Sequence, residues 1–338
     1  MANILFIGMN FYDYEDAIVD RLEEKGHKVI RHPDKESFFL NHFPFLPEKI
    51  GLAEIKKYQE GIIKKLRNKC IDYVLVIVGR GLTSCFLKEL RKINENAVFI
   101  LYLWDDIARV KNFEEVKNYY DKIYTFDPND AQKYQIGFLP LFYRKKRIGE
   151  GVKRNQEIDI FSAMNCHSDR EKIAREIVEK NKDKNIKIIL TVNGKSYLRR
   201  IIKNHFHSIS DRYINIRFRK NTLRQEELYQ IMQCAKIILD VQYPTQIGLT
   251  MRTFDAMSVG RKLITTNPDV RYYDFYDPNN ISIIDREDIS IPDDFYISPY
   301  LSLKERIIDK YSLNTWIEVL LENRKERYLR VNNPYGDY

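Results

Sequence analysis

Four side chains close together in sequence, Thr250, Arg252, Thr253 and Asp255, are of types that suit a bound anion. The apolar run 237–241 predicts a buried strand, and Pro244 and Gly248 punctuate the polar loop after it. A short helix is expected over 251–259, stopped by Gly260, with the next strand over 262–265. A strand, loop, helix, strand unit presents backbone N–H groups at a helix N-terminus. Here Thr250, Arg252 and Thr253 sit at that terminus, with the Asp255 carboxylate one turn further in. A phosphate-bearing sugar nucleotide would suit such a site. Arg252 is the best cation for it, because a guanidinium grips phosphate oxygens two at a time. Lys195, after the strand expected over 186–192, comes second. Gln246 and Asn267 offer amides suited equally to sugar or base hydroxyls and to structural hydrogen bonds. His167, in a turn after the strand over 158–163, suits a solvated position better than a phosphate contact.

The elements that must position these residues alternate along the chain. Strands are expected over 3–8, 27–30, 73–78, 97–103 and 122–126, with a short one near Phe138. Helices are expected between them over 14–25, 52–68, 84–93 and 128–134. A Phe- and Pro-rich loop spans 32–47. Strand and helix at this spacing specify a parallel, doubly wound sheet, whose strand-end loops 9–13, 79–81 and 104–106 line one crevice. The basic stretch 144–156 breaks the pattern and marks a boundary, giving domains 1–150 and 151–338. A second series follows, with strands over 158–163, 186–192, 213–218, 237–241, 262–265 and 281–284. Its helices fall over 169–180, 197–205, 225–234, 301–309 and 313–323. The expected fold is α/β, two facing Rossmann-like domains.

At 338 residues, two domains of ordinary size fit. With 44% apolar and 31% charged residues each can bury a core, and nothing argues for disorder. No apolar run approaches the ~20 residues of a membrane span, and the N-terminus enters a strand without a basic leader, so a cytoplasmic protein is expected. The four cysteines show no C-x-x-C pair and no metal-ligand spacing, which reads as reduced, mostly buried thiols. Net charge is +8, yet residues 1–150 carry 25 basic against 22 acidic side chains, so neither half is a basic domain and nucleic acid is not the expected partner. One window, 195–224, holds nine Lys and Arg against the single acid Asp211. It is either a solvated face or a surface for anionic headgroups.

The chain resembles a bacterial family of capsule, exopolysaccharide and lipopolysaccharide glycosyltransferases, including CgeB-like proteins. The likeness rests on Tyr120-Asp-Lys-Ile-Tyr-Thr-Phe-Asp127, Leu139-Pro-Leu-Phe-Tyr143, Leu239-Asp240 and Gln246-Ile-Gly-Leu-Thr-Met-Arg-Thr-Phe-Asp255, with Lys262-Leu-Ile-Thr-Thr-Asn267 and Tyr273-Asp-Phe-Tyr276. It implies the GT-B architecture, with an N-terminal acceptor domain and a C-terminal domain for the nucleotide sugar. It also implies a saccharide or lipid-linked acceptor at the cytoplasmic membrane face. That fold class often carries Glu-x7-Glu, whose second Glu binds the donor ribose. Asp255 matches the second position, whereas no Glu stands at the first, beside Gly248, which leaves the anomeric outcome open.

Glycosyl transfer must stabilise a departing diphosphate and deprotonate an acceptor hydroxyl. No Asp-x-Asp sits in a strand-end loop, and the adjacent pairs Asp105-Asp106 and Asp293-Asp294 diverge in extended chain. No metal or other cofactor is therefore expected, and helix N–H groups with a cation take the first task. Asp105, in a loop after Trp104, and Asp13 are the candidate bases; Asp13 is equally placed to cap a helix starting at Tyr14. A nucleotide-sugar epimerase and a non-catalytic CgeB-like assembly protein are the rival readings.

Overall fold

The apolar runs become two six-stranded sheets in the computed structural model, which describes residues 1–9, 12–34, 48–144, 156–192, 197 and 215–336. The first contains β1 (Asn3–Gly8), β2 (Lys28–Pro33), β3 (Tyr73–Ile77), β4 (Val98–Leu103), β5 (Lys122–Thr125) and β6 (Gly137–Phe138), in the order β2-β1-β3-β4-β5-β6. All neighbours are parallel. Ile4 to Ile7 and Val74 to Ile77 have no exposed surface. Helices cover both faces of such a sheet, which is why these strands read as unbroken apolar runs. The connecting helices are α1 (Tyr12–Glu24), α2 (Glu48–Leu66), α3 (Ser84–Ile93), α4 (Phe113–Val116) and α5 (Pro128–Tyr134).

The second sheet holds β7 (Ile158–Asn165), β8 (Ile186–Thr191), β9 (Ile216–Arg219), β10 (Ala235–Asp240), β11 (Lys262–Thr265) and β12 (Ile281–Ile283). Its order is β12-β11-β10-β7-β8-β9, again all parallel. Chain direction across the sheet reverses between β7 and β10, the kind of switch point where open α/β sheets bind ligands. Around it lie α6 (Arg170–Lys180), α7 (Gln225–Gln233), α8 (Met251–Ser258), α9 (Asp293–Ile297) and α10 (Glu305–Lys310).

The chain divides into two compact units, Met1–Pro140 with Leu313–Arg327 and Pro334–Tyr338, and Leu141–Ser312 with Tyr328–Asn333. This differs from a single boundary near residue 150. The reason is α11 (Leu313–Glu322), whose apolar face belongs to the first sheet. Trp316 meets Tyr102 of β4 edge-on at 4.7 Å, and Glu318 takes Lys25 at 3.0 Å. The C-terminal helix is thus part of the first unit's core.

Other expectations shift locally. Helix α1 begins at Tyr12, so Asp13 lies inside its first turn instead of capping it. Cys70 and Cys85 are exposed, not buried. Residues 35–47 of the Phe-rich loop, 145–155 of the boundary, the helix expected over 197–205 apart from Tyr197, and Lys195 lie outside the described residues. Among those described, no helix is long and apolar enough to cross a membrane.

Candidate functional site

Helix α8 is short because its ends are chemically fixed. Thr250 is its N-cap and accepts from the Arg252 N–H at 3.1 Å, while Gly260, at φ 62°, takes the left-handed turn that ends it. Phe254 stacks on Tyr311 at 5.4 Å and anchors the helix to an aromatic cluster with Phe275. Every residue of α8 is buried except Arg252. A helix buried on all sides but one directs function to that one side chain.

Arg252 spans the switch point. Its Nη2 donates to the carbonyl of Ala163 in β7 at 3.2 Å, and Nη1 donates to Asp255 Oδ2 at 3.2 Å and to Met232 Sδ at 3.5 Å. Two further guanidinium groups stand at the same edge. Arg170, the first residue of α6, donates from Nε to the Val241 carbonyl at 2.6 Å and from Nη1 to the Asn165 carbonyl at 3.2 Å. Arg286, after β12, grips both oxygens of Asp169 at 2.7–2.8 Å and the Gln242 carbonyl at 2.8 Å. Burial lowers the Arg170 pKa; Asp240 and Asp169 oppose this, while Arg252 and Arg286 add to it. Three cations thus stand at the ends of β7, β10 and β12, Arg170 within electrostatic reach of the other two, with Asp169, Asp240 and Asp255 as their carboxylate neighbours.

The other residues singled out in this region are placed as follows. Thr250 and Thr253 both donate to Asp240 Oδ2, at 2.7 and 3.1 Å, so their hydroxyls hold the carboxylate that ends β10. Asp240 is 6% exposed. Burial raises its pKa, held in check by Thr250, Arg170, Arg252 and Thr253. Asp255 has no exposed surface; it accepts from Tyr229 OH at 2.7 Å and from Arg252. Its pKa is raised by burial, against the charges of Arg252 and Arg144 and the Tyr229 hydrogen bond. Gln246 donates to the carbonyl of Gly248, itself buried, at 2.7 Å. Asn267 caps a 3-10 turn and donates to the Ile247 carbonyl at 2.9 Å. Both amides therefore shape the 242–248 loop. His167 is exposed, with Nε2 2.9 Å from Arg170 Nη1; a guanidinium only donates, so this nitrogen accepts.

In the first unit, Asp105 follows β4 and pairs with Arg80. Burial raises its pKa, opposed by Arg80 and Arg109. The adjacent Asp106 is pushed up to about 6, by burial and then by the charges of Asp127, Asp130 and Asp105 against Arg109. Asp127 caps α5 through the Asn129 and Asp130 N–H groups, and Asp130 Oδ2 accepts from the Ile107 N–H at 2.8 Å. Asp13 stands exposed in the first turn of α1. One acid was missed. Glu15, 1% exposed, accepts from the Met9 N–H at 2.7 Å and pairs with Arg31 at 3.2 Å. A Cβ on Gly8 would lie 2.2 Å from its Oε2. The turn after β1 is thus filled by a carboxylate of the chain's own. Among the described residues no group of three or more His, Cys, Asp or Glu could hold a metal ion.

No protein-family model matches the chain, and no curated protein matches it by sequence. Solved structures do. A UDP-forming alpha,alpha-trehalose-phosphate synthase from Burkholderia xenovorans is similar over 96% of this chain and 98% of its own, with TM-score 0.61 and 10% identity. A trehalose-6-phosphate structure from E. coli bound with UDP-2-fluoro glucose gives 95% and 98%, TM-score 0.60 and 10% identity. The fold is GT-B. An alpha,alpha-trehalose 6-phosphate synthase from Burkholderia multivorans shares the same GT-B architecture over 96% of each chain, at TM-score 0.58 and 9% identity. At such identities the likeness establishes the two Rossmann-like units and leaves the chemistry to the residues.

Proposed function

We propose that the protein is a glycosyltransferase that moves a sugar from a nucleoside-diphosphate sugar to a saccharide or lipid-linked acceptor in bacterial surface polysaccharide synthesis. The observation that carries this reading is Arg252, the single side chain of α8 outside the core, held across the β7–β10 switch point of a GT-B fold. Arg252, with Arg170 behind it, stabilises the charge that grows on the diphosphate as the glycosidic bond breaks. Guanidinium groups fixed before the reaction cost no reorganisation while it proceeds, so no metal is required and turnover should persist in EDTA. Asp105 in the first unit takes the acceptor proton; its burial, outweighing Arg80 and Arg109, favours a proton on it. Asp13 is the second candidate. The capsule and lipopolysaccharide context rests on the motif resemblance.

Cytoplasmic residence with peripheral contact at the inner membrane face is supported by the net charge of +8 and the basic window 195–224. Flotation with anionic vesicles should be lost at high salt.

The deciding experiment is a thermal-shift screen of UDP-, GDP-, ADP- and dTDP-sugars, followed by transfer assays with the donor that stabilises the protein. Stabilisation by one donor and sugar transfer from it are expected. Interconversion of the sugar without any acceptor would favour an epimerase, and no stabilisation by any donor would overturn the reading.

A further inference from the structure

Resting on this donor-site reading, we infer that Asp255 is a positioning residue and not a ribose ligand: Tyr229 and Asp255 together set the Arg252 guanidinium in the orientation that meets a diphosphate. A carboxylate that binds a ribose must offer an oxygen to the ligand. Asp255 has no exposed surface, and each of its oxygens is already engaged, Oδ1 by Tyr229 OH at 2.7 Å and Oδ2 by Arg252 Nη1 at 3.2 Å. Tyr229 is buried on α7, so the chain Tyr229–Asp255–Arg252 runs from the core outward.

Arg252 is the only member of that chain with a face to solvent, at 16% side-chain exposure. A guanidinium has five N–H donors. Three of them go to Asp255, Met232 and the Ala163 carbonyl. The Nε–H and the second Nη2–H have no protein acceptor among the described residues, and they are what remains for phosphate oxygens. The side of the guanidinium facing Asp255 is fixed, and the opposite side is available. Fixing an arginine by a buried carboxylate leaves less freedom to lose when the ligand arrives.

The two roles for Asp255 predict different losses. The test uses the full chain and isothermal calorimetry with UDP, GDP, ADP and dTDP, each beside its nucleoside, and the 2′-deoxy form of whichever ribonucleotide binds. For a positioning role, Asp255→Asn and Tyr229→Phe weaken the diphosphate about tenfold. They leave the nucleoside affinity and the ribo-to-deoxy ratio unchanged. In an Arg252→Ala background Asp255→Asn should cost nothing more, because the group it positions is gone. Tyr229→Phe removes one oxygen and no volume, so it decides the question if Asp255→Asn fails to fold.

Nucleoside affinity that falls with Asp255→Asn, or a ribo preference that disappears, overturns the inference and restores a ribose contact. Full diphosphate affinity in Tyr229→Phe with full additivity in the double variants also overturns it. If the unaltered protein binds none of the four nucleotides, the donor-site reading itself fails, and the inference fails with it.

Discussion

Four carboxylates, Asp105, Asp106, Asp127 and Asp130, stand at the carboxyl edge of the first sheet, whereas Arg170, Arg252 and Arg286 stand at that edge of the second. The sheets match in strand number and parallel sense, so the strands do not explain the contrast. It lies in the residues that follow them. In the second unit the guanidiniums are tolerated near the core because they donate to backbone carbonyls at 163, 165, 241 and 242. In the first, Asp127 and Asp130 accept backbone N–H groups, while Asp106 lacks a side-chain cap bond and takes the repulsion of its neighbours. Even the switch-point turn of the first sheet is provided with an internal anion, Glu15. One edge gathers guanidinium groups, and the other gathers carboxylates.

Charge reversal is the severest way to break this contrast. Arg252→Glu should weaken nucleoside-diphosphate binding roughly 100-fold or more, since it removes a donor and adds repulsion. Asp106→Arg should leave that binding within about twofold, being in the other unit. Equal losses in calorimetry would show that nucleotide binding does not belong to the second edge alone.

Next in size is Gly8→Ala. Its Cβ would collide with Glu15, expel the carboxylate from the Met9 N–H and cost about 1–3 kcal/mol. Urea unfolding should show this cost, and Glu15→Ala in the same chain should recover part of it.

The pH dependence of the first unit is a smaller effect. The Asp106 pKa is raised in the fold from 3.8 to about 6, so its contribution is fully present below about 4 and is lost as pH rises through about 6. Asp106→Asn should therefore gain on the order of 1 kcal/mol at pH 7 and nothing at pH 3.5. Thermal melts across that range measure it.

The smallest stability change is expected for Arg80→Met, under ~1 kcal/mol, because its pair with Asp105 is partly exposed. The same change should move the acidic limb of the pH–rate profile upward, since it removes a positive neighbour from Asp105.

Much of the frame was legible because its causes are local. The apolar runs, the Thr250 cap and the Gly260 stop each act within a few residues, and α8 forms where those signals put it. Arg252 was legible for the same reason. The use of Asp255 was not, because its partner Tyr229 lies on another helix, 26 residues away. Thr250 and Thr253 read as phosphate hydroxyls until the fold brings Asp240 to them. Arg170 had a usable signal. It follows β7 directly, and parallel topology places such residues at the carboxyl edge. Asp106 had none, since its proton affinity depends on Asp127 and Asp130 from the next loop.

Trp316 has a consequence in time. The ribosome completes all the strands of the first sheet before it starts those of the second, yet the indole that packs against Tyr102 is made only after Ser312. At about 5–20 residues per second the intervening stretch, Leu141–Ser312, takes roughly 10 to 30 s to synthesise. For that interval Tyr102 has Trp104 and the Leu139 carbonyl beside it on the nascent chain, but not the Trp316 indole. The part of the protein translated first is completed last.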